Sequence, residues 1–258
     1  MKELRVLLTG GAGGIGLAVA ASLLERGAAL RLVNRDRQSL AAAQTELARD
    51  GDRVGTFSCD ITDAGDRARL RNFAASWRGG MNVLINNVGV SGPALFQRQT
   101  VAQIERTLAA NLTAPILLGR ELLPLLTSQP RAHIVIVGSV FGSIDYPGYA
   151  VYSATKFALR RELAEMNVEV HCFAPRAPRT VLNRGAGEQM NAELGVTMDD
   201  PSVVGDALAN MLDKRKPFAV VGWPEKLFAR INALFPGLVD QAIHKPLPTI
   251  QRYATRAR

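Results

Sequence analysis

Residues 4–26 read LRVLLTGGAGGIGLAVAASLLER, and this stretch decides the fold. A short apolar run, LRVLLTG (4–10), ends in the glycine-rich TGGAGGIG (9–16), and LAVAASLLERG (17–27) follows with helical spacing. Glycines at a strand-to-helix turn let the backbone approach a pyrophosphate, whose charge is stabilised by the free N–H groups at the helix N-terminus. A glycine-rich turn by itself can be an empty tight turn. With a strand before it and a helix after it, the reading is a dinucleotide-phosphate cradle.

The same alternation continues along the chain. Runs rich in Val, Leu and Ile occur at 4–10, 30–34, 54–60, 81–89, 133–139, 168–175 and 218–222, with longer helical patterns between them. Seven strands that are apolar on both faces and separated by helices predict an α/β fold of the doubly wound, Rossmann type: a mainly parallel sheet with helices on both faces. Residues 1–222 read as one dinucleotide-binding and catalytic domain, with 176–199 as a substrate loop and 223–258 as an amphipathic tail packed on the same domain.

Composition narrows the function. The 258 residues are 47% hydrophobic and 21% charged, enough for one well-buried globular domain. The net charge of +8 raises nucleic acid as a partner, but the arginines are scattered and no stacking platform or basic run accompanies them. No nucleic-acid partner is expected. Cys59 and Cys172 lie in strand-like runs and read as buried reduced thiols, and MKELRVLLTGG enters a strand directly, so a cytoplasmic protein is expected. His133, His171 and His244 show no metal-ligand spacing, and no metal is assigned.

Two further stretches carry chemistry. At the end of the second strand, VNRD places Asn34 where an acidic residue usually meets the ribose 2′-hydroxyl, and Arg35 follows. A guanidinium there offers paired hydrogen bonds to a 2′-phosphate and favours NADP(H) over NAD(H). The plainer alternative makes Arg35 a solvated charge and Asp36 a helix cap. In DYPGYAVYSATK (145–156) three tyrosines precede a single lysine. On a helix beginning near residue 150, Lys156 stands one turn from Tyr152, whereas Tyr146 and Tyr149 lack that partner. An adjacent ammonium lowers a phenol pKa and makes it a usable acid and base. Ser139, in VGSV at the end of the fifth strand, lies at the same sheet edge and can hydrogen-bond a reacting oxygen.

Together these residues resemble the short-chain dehydrogenase/reductase family over roughly residues 4–222. The resemblance rests on TGGAGGIG, CDIT with Asp60, NNVG (86–89), Asn111, Ser139 and YSATK. It implies that Tyr152 is the general acid for reduction, that Ser139 orients the carbonyl, and that Lys156 holds the nicotinamide ribose and lowers the tyrosine pKa. It further implies that Asn111 holds a water linking the lysine to solvent. The cofactor is implied to lie on Thr9, Gly10, Gly14, Ile15 and Gly16 at the turn, and on Asn34 and Arg35 at the second strand. Asp60 and Ile61 would take the adenine edge. Asn86 and Gly89 would line the cleft, and Pro175 and Thr180, with Tyr152 and Lys156, would complete the nicotinamide end.

Two features depart from the family pattern. APRAPRT (174–180) has Arg176 where a glycine usually follows the proline, so its side chain either points to solvent or projects into the cleft. The segment from Tyr152 to Pro175 is shorter than usual by about seven residues, or two helical turns and roughly 10 Å. The shortened helix over 153–166 should shrink the family's usual subunit contact, which predicts a monomer or a non-standard homo-oligomer. The tail, GWPEKLFARINALFPGLVDQAIHKPLPTIQRY, reads as a cover over the site mouth or a subunit contact, with a membrane-surface helix as the alternative. The expected activity is hydride transfer between NADP(H) and a lipophilic carbonyl or alcohol. The alternative is a non-catalytic nucleotide-binding regulator or scaffold that keeps the fold.

Overall fold

The computed structural model describes residues 1–77, 79–142, 146–155, 167–234, 237 and 246–256. Lys156 and the remainder of the shortened helix beyond Thr155 lie outside the described residues, as does much of 235–245. The first half alternates β1 (Arg5–Thr9), α1 (Gly14–Glu25), β2 (Ala29–Asn34), α2 (Arg37–Glu46), β3 (Val54–Ser58), α3 (Ala64–Ala75) and β4 (Val83–Asn86). Next come α4 (Val101–Leu108), a π-helical turn (Ala109–Thr113), α5 (Ala114–Thr127), β5 (Ala132–Val137), α6 (Ala150–Thr155) and β6 (Val168–Ala174). The chain closes with α7 (Ala186–Glu193), α8 (Pro201–Asp213), β7 (Phe218–Val220), α9 (Trp223–Leu234) and α10 (Leu247–Arg256).

The strands form a seven-stranded sheet in the order β3-β2-β1-β4-β5-β6-β7, and every described pairing is parallel. The expected mainly parallel sheet is thus parallel throughout. Alternation within each strand explains its two-faced burial. Val6 and Leu8 of β1, Leu30 and Leu32 of β2, and Val83 and Ile85 of β4 join the core under α1, α2 and α8. Leu7, Val33 and Leu84 point the other way, into the core under α3 and α5. Helices start where short polar side chains cap them: Asp36 for α2, Asp63 for α3, Thr100 with Gln103 as a capping box for α4, and Asp200 followed by Pro201 for α8. Helices α1 and α8 approach so closely that a Cβ on Gly205 would lie 2.4 Å from the Ala18 carbonyl oxygen.

The order reverses between β1 and β4, which opens a crevice at their C-terminal ends. β4 is shorter than the apolar run 81–89 suggests, for a specific reason. Thr9 Oγ1 accepts the Asn87 N–H at 3.0 Å and draws the chain out of the ladder after Asn86. The segment 176–199 is not a bare loop. It contains α7 and is closed at its base by a bridge between Pro178 and Asp199.

Candidate active site

The glycine turn is built so that only glycine fits at its tightest point. Gly10 has φ +65°, and a Cβ on Gly16 would lie 2.1 Å from the Gly10 carbonyl oxygen. A Cβ on Gly14 would lie 2.6 Å from Thr180 Cγ2, so the segment after β6 rests directly on the turn. Thr9 also fastens the sheet beneath the turn. Its side chain is fully buried, donating to the Ile85 carbonyl at 3.2 Å and accepting from Asn87, so it fastens β1 to β4 beneath the cleft. The Ile61 side chain is likewise in the core beside Cys59 and does not face the cleft. Burial first, then Asp66 and Asp60, push the Cys59 thiol up to about 12, so it stays a neutral thiol.

At the end of β2, Asn34 accepts the Asp36 N–H at 3.2 Å, and Asp36 caps α2 through the Gln38 and Ser39 N–H groups. The Arg35 side chain is exposed and close enough to Asp60 to help hold that carboxyl below the usual range. The larger cause for Asp60 is Thr62, whose hydroxyl and N–H bond Asp60 Oδ1 at 2.7 and 2.9 Å.

The reacting groups meet at the C-terminal ends of β4 and β5. Ser139 hydrogen-bonds the half-buried Tyr152 side chain and accepts the Phe141 N–H on Oγ at 3.2 Å. Burial raises the Tyr152 pKa and the Ser139 hydrogen bond opposes that rise. Lys156, the partner that singled out Tyr152 in the sequence, lies outside the described residues. Among the described residues Ser139 is a partner of the phenol. Asn111 sits in the π-helical turn, a feature often found at functional sites. Its Nδ2 donates to the Val90 carbonyl at 2.9 Å, its Oδ1 accepts the Val90 N–H at 2.8 Å, and Nδ2 also reaches Thr155 Oγ1 at 3.3 Å. Thr155 in turn donates to the Tyr152 carbonyl at 2.7 Å. Asn111 therefore joins the loop that follows NNVG to the helix that carries Tyr152.

Ile15, Gly89, Ser139, Tyr152 and Pro175 line one cavity of about 350 Å³, a size suited to a small-molecule ligand. Sequence reasoning missed much of its wall. Asn87 donates to the Gly10 carbonyl at 3.2 Å and lines the cavity beside Gly89. Phe141 stacks on Tyr146 at 4.6 Å between ring centroids, and Tyr149 meets Tyr152 edge-on at 6.1 Å. Burial pushes the Tyr149 and Tyr146 phenols upward, so both remain neutral apolar surface. From α10, Ile250 packs behind this wall with Met190 and Tyr149. Arg176 takes neither expected course alone. It lines the cavity, but its Nε donates to Asp199 Oδ2 at 3.1 Å, its Nη2 pairs with Asp199 Oδ1, and Nη1 lies 3.8 Å from Glu225 Oε2. The guanidinium thus ties the segment after β6 to α9.

The residues fit the nicotinamide dinucleotide that the resemblance implies. Asn86 is 4% exposed at the end of β4, and neither its Nδ2 nor its Oδ1 has a hydrogen-bond partner among the described residues. Thr180 Oγ1 is likewise buried without one. Such groups cost free energy unless a ligand satisfies them; Thr180 lies against Gly14 of the glycine turn, and Asn86 immediately precedes Asn87, which lines the cavity.

Comparison with known proteins agrees with this geometry. A family model described as short chain dehydrogenase matches residues 5–191. Among relatives, 2-(S)-hydroxypropyl-CoM dehydrogenase 3 of Xanthobacter autotrophicus (strain ATCC BAA-1158 / Py2) is 30% identical over 247 residues, covering 94% of this chain and 92% of that protein. Among solved structures, a short chain dehydrogenase/reductase from Burkholderia phymatum in complex with NAD superposes with a TM-score of 0.82 at 20% identity, covering 91% of this chain and 94% of that one. An actinorhodin polyketide ketoreductase variant with NADPH superposes with a TM-score of 0.77 at 21% identity, over 86% of this chain and 97% of that one. At these identities the two structures show the fold alone.

Proposed function

Because the chain belongs to the short-chain dehydrogenase family and is therefore a nicotinamide-dependent oxidoreductase, we propose that it prefers NADP(H) and reduces a lipophilic carbonyl, or oxidises the matching alcohol. The observation that carries this reading is the half-buried Tyr152 phenol, hydrogen-bonded by Ser139 in an aromatic-walled cavity. The bound nicotinamide supplies or accepts the hydride. Tyr152 delivers its proton to the carbonyl oxygen during reduction. Ser139, with a lone pair already taken by the Phe141 N–H, turns its own hydroxyl proton towards the same oxygen. The Thr180 hydroxyl takes the nicotinamide end of the cofactor, Asn86 supports the cleft beside Gly89, and Arg35 takes the 2′-phosphate. Asn111 holds the helix of Tyr152 in register, and Lys156 keeps the phenol within reach of working pH.

Phe141, Tyr146 and Tyr149 favour an apolar or aromatic substrate. Helix α9 adds to this preference. Trp223 and Leu234 are each 72% exposed on one face with Leu227, and the exposed Lys226 and Arg230 lie beside them, whereas Phe228 of the same helix lines the cavity. We assign that face to contact with an anionic membrane surface from which a lipophilic substrate is drawn. Among the described residues no helix is long and apolar enough to cross a membrane. The buried, neutral thiol of Cys59 suits the cytoplasm, and a monomer or a homo-oligomer held outside the 153–166 helix is the assembly proposed.

The test is steady-state turnover of a carbonyl panel, from short aldehydes to long-chain and aromatic ketones, with NADPH and with NADH. NADPH should be preferred about ten- to a hundredfold in kcat/KM, Arg35→Ala should remove most of that preference, and added salt should reduce it. An unchanged ratio in Arg35→Ala refutes the cofactor assignment. Cofactor binding without turnover of any carbonyl supports the non-catalytic scaffold instead.

A further inference from the structure

Sequence spacing gives no sign of a metal site, since His133 and Glu169 or His171 belong to different strands and no ligand motif surrounds them. Parallel pairing brings them together. β5 and β6 align His133 with Glu169 and Val135 with His171, so the two histidines and the carboxylate share one face of the sheet. His133 Nδ1 lies 3.0 Å from His171 Nε2, and Glu169 Oε2 lies 3.7 Å from the first and 3.9 Å from the second. From this geometry we infer that His133, His171 and Glu169 form a binding site for a borderline divalent cation, with zinc as the best fit.

Four observations support the assignment. The three donor atoms form a triangle whose edges bracket the roughly 3.3–3.5 Å expected when ligands sit about 2.0–2.2 Å from a tetrahedral ion. His171 Nδ1 lies 2.8 Å from the Lys216 carbonyl oxygen, which can only accept, so Nδ1 carries the proton and Nε2 presents its lone pair. That outer hydrogen bond is the one that fixes ring orientation in metal-bound histidines. Glu169 is likewise held: Arg215 grips Oε1 through Nη2 and Nε, and Nε also reaches Oε2 at 3.2 Å, so the carboxylate is fixed with the other lone pair of Oε2 available to the rings' side. His171 is nearly inaccessible, but Glu169 remains 30% exposed, so an ion and a fourth, solvent ligand can reach the site from that side.

Binding requires no net change in histidine charge. The proton that His133 Nδ1 shares with His171 Nε2 leaves through solvent, one returns to His133 Nε2, and the metal takes the place of the shared proton. Imidazole with a single carboxylate selects zinc, cobalt, nickel or copper over magnesium or calcium. The site lies near the start of β5, about 20 Å along the strand from Ser139, and would clasp β5, β6 and the turn before β7 without entering the reaction.

The experiment uses the full chain without an affinity tag, stripped with chelator, titrated with ZnCl₂ by calorimetry and with CoCl₂ by visible absorption. One equivalent of zinc should bind saturably, cobalt should develop the intense bands of a low-symmetry nitrogen-oxygen site, and the melting temperature should rise with zinc while turnover stays the same. Glu169→Gln should weaken zinc roughly tenfold or more, and His133→Phe should abolish the cobalt spectrum. His244→Ala should leave both signals intact. Absence of saturable binding, or binding that survives both Glu169→Gln and His133→Phe, would show that the two rings are only a hydrogen-bonded pair.

Discussion

Replacing Asn111 by alanine should destabilise the protein through a small set of identifiable bonds. The amide satisfies both the N–H and the carbonyl of Val90, at 2.8 and 2.9 Å, and reaches Thr155 at 3.3 Å. A buried backbone group left without a partner costs about 1–3 kcal/mol, and two such groups could cost twice that. Val90 is half-buried, so water recovers part of the loss, and about 2–3 kcal/mol is expected for Asn111→Ala. For a chain of this size that corresponds to a fall of roughly 5–10 °C in melting temperature. Asn111→Asp should not rescue it. Aspartate keeps the acceptor for the Val90 N–H but sets a second oxygen against the Val90 carbonyl. Turnover should fall in both variants, because Thr155 bonds the Tyr152 carbonyl and Asn111 steadies Thr155. Urea unfolding and differential scanning on the two variants provide the assay. An alanine variant within about 0.5 kcal/mol of the parent would refute the accounting, since that is the range of an ordinary surface substitution.

Arg176→Met should leave Asp199, 9% exposed, without its cation, loosening the segment over the cavity; KM should rise more than kcat falls, and Arg176→Met with Asp199→Asn should recover stability, as thermal melts and steady-state kinetics will show. The pH dependence follows from Tyr152, whose pKa burial raises while Ser139 partly offsets it. Reduction needs the protonated phenol, so its kcat/KM should stay level at neutral pH and fall as pH rises through that pKa. Oxidation needs the phenolate and should lose about tenfold per unit as pH falls below it. A reduction rate that climbs with alkali would contradict the assignment.

The parts of this protein that repeat a local rule were legible in the sequence. Seven apolar runs became seven strands, the central ones buried on both faces and the edge strands β3 and β7 only partly covered, and TGGAGGIG marked its turn because Gly16 has no room for a side chain. Boundaries were less legible where a distant side chain intervenes. β4 ends at Asn86 because Thr9 captures the next N–H, and no local pattern encodes that bond. Tyr152 was chosen through Lys156 one helical turn away and Ser139 at the same sheet edge, and among the described residues Ser139, from the end of a distant strand, does meet it. Arg176 was read as solvated or cleft-facing because its partners, Asp199 and Glu225, come from later elements that only the fold brings near. His133 and His171 escaped for the same reason, being joined only by the register of β5 and β6.

The central claim is that Tyr152 is the proton donor of a carbonyl reductase, and Tyr152→Phe tests it most directly, with turnover and cofactor affinity measured on the same preparation. The phenylalanine keeps the ring in its aromatic cluster and removes only the hydroxyl that Ser139 contacts. Turnover should fall by about 10²–10⁴-fold, the usual contribution of a positioned general acid, while cofactor affinity stays unchanged and Tyr149→Phe remains active. If Tyr152→Phe instead keeps more than a few per cent of parental turnover, the proton comes from elsewhere and the account of this site is wrong.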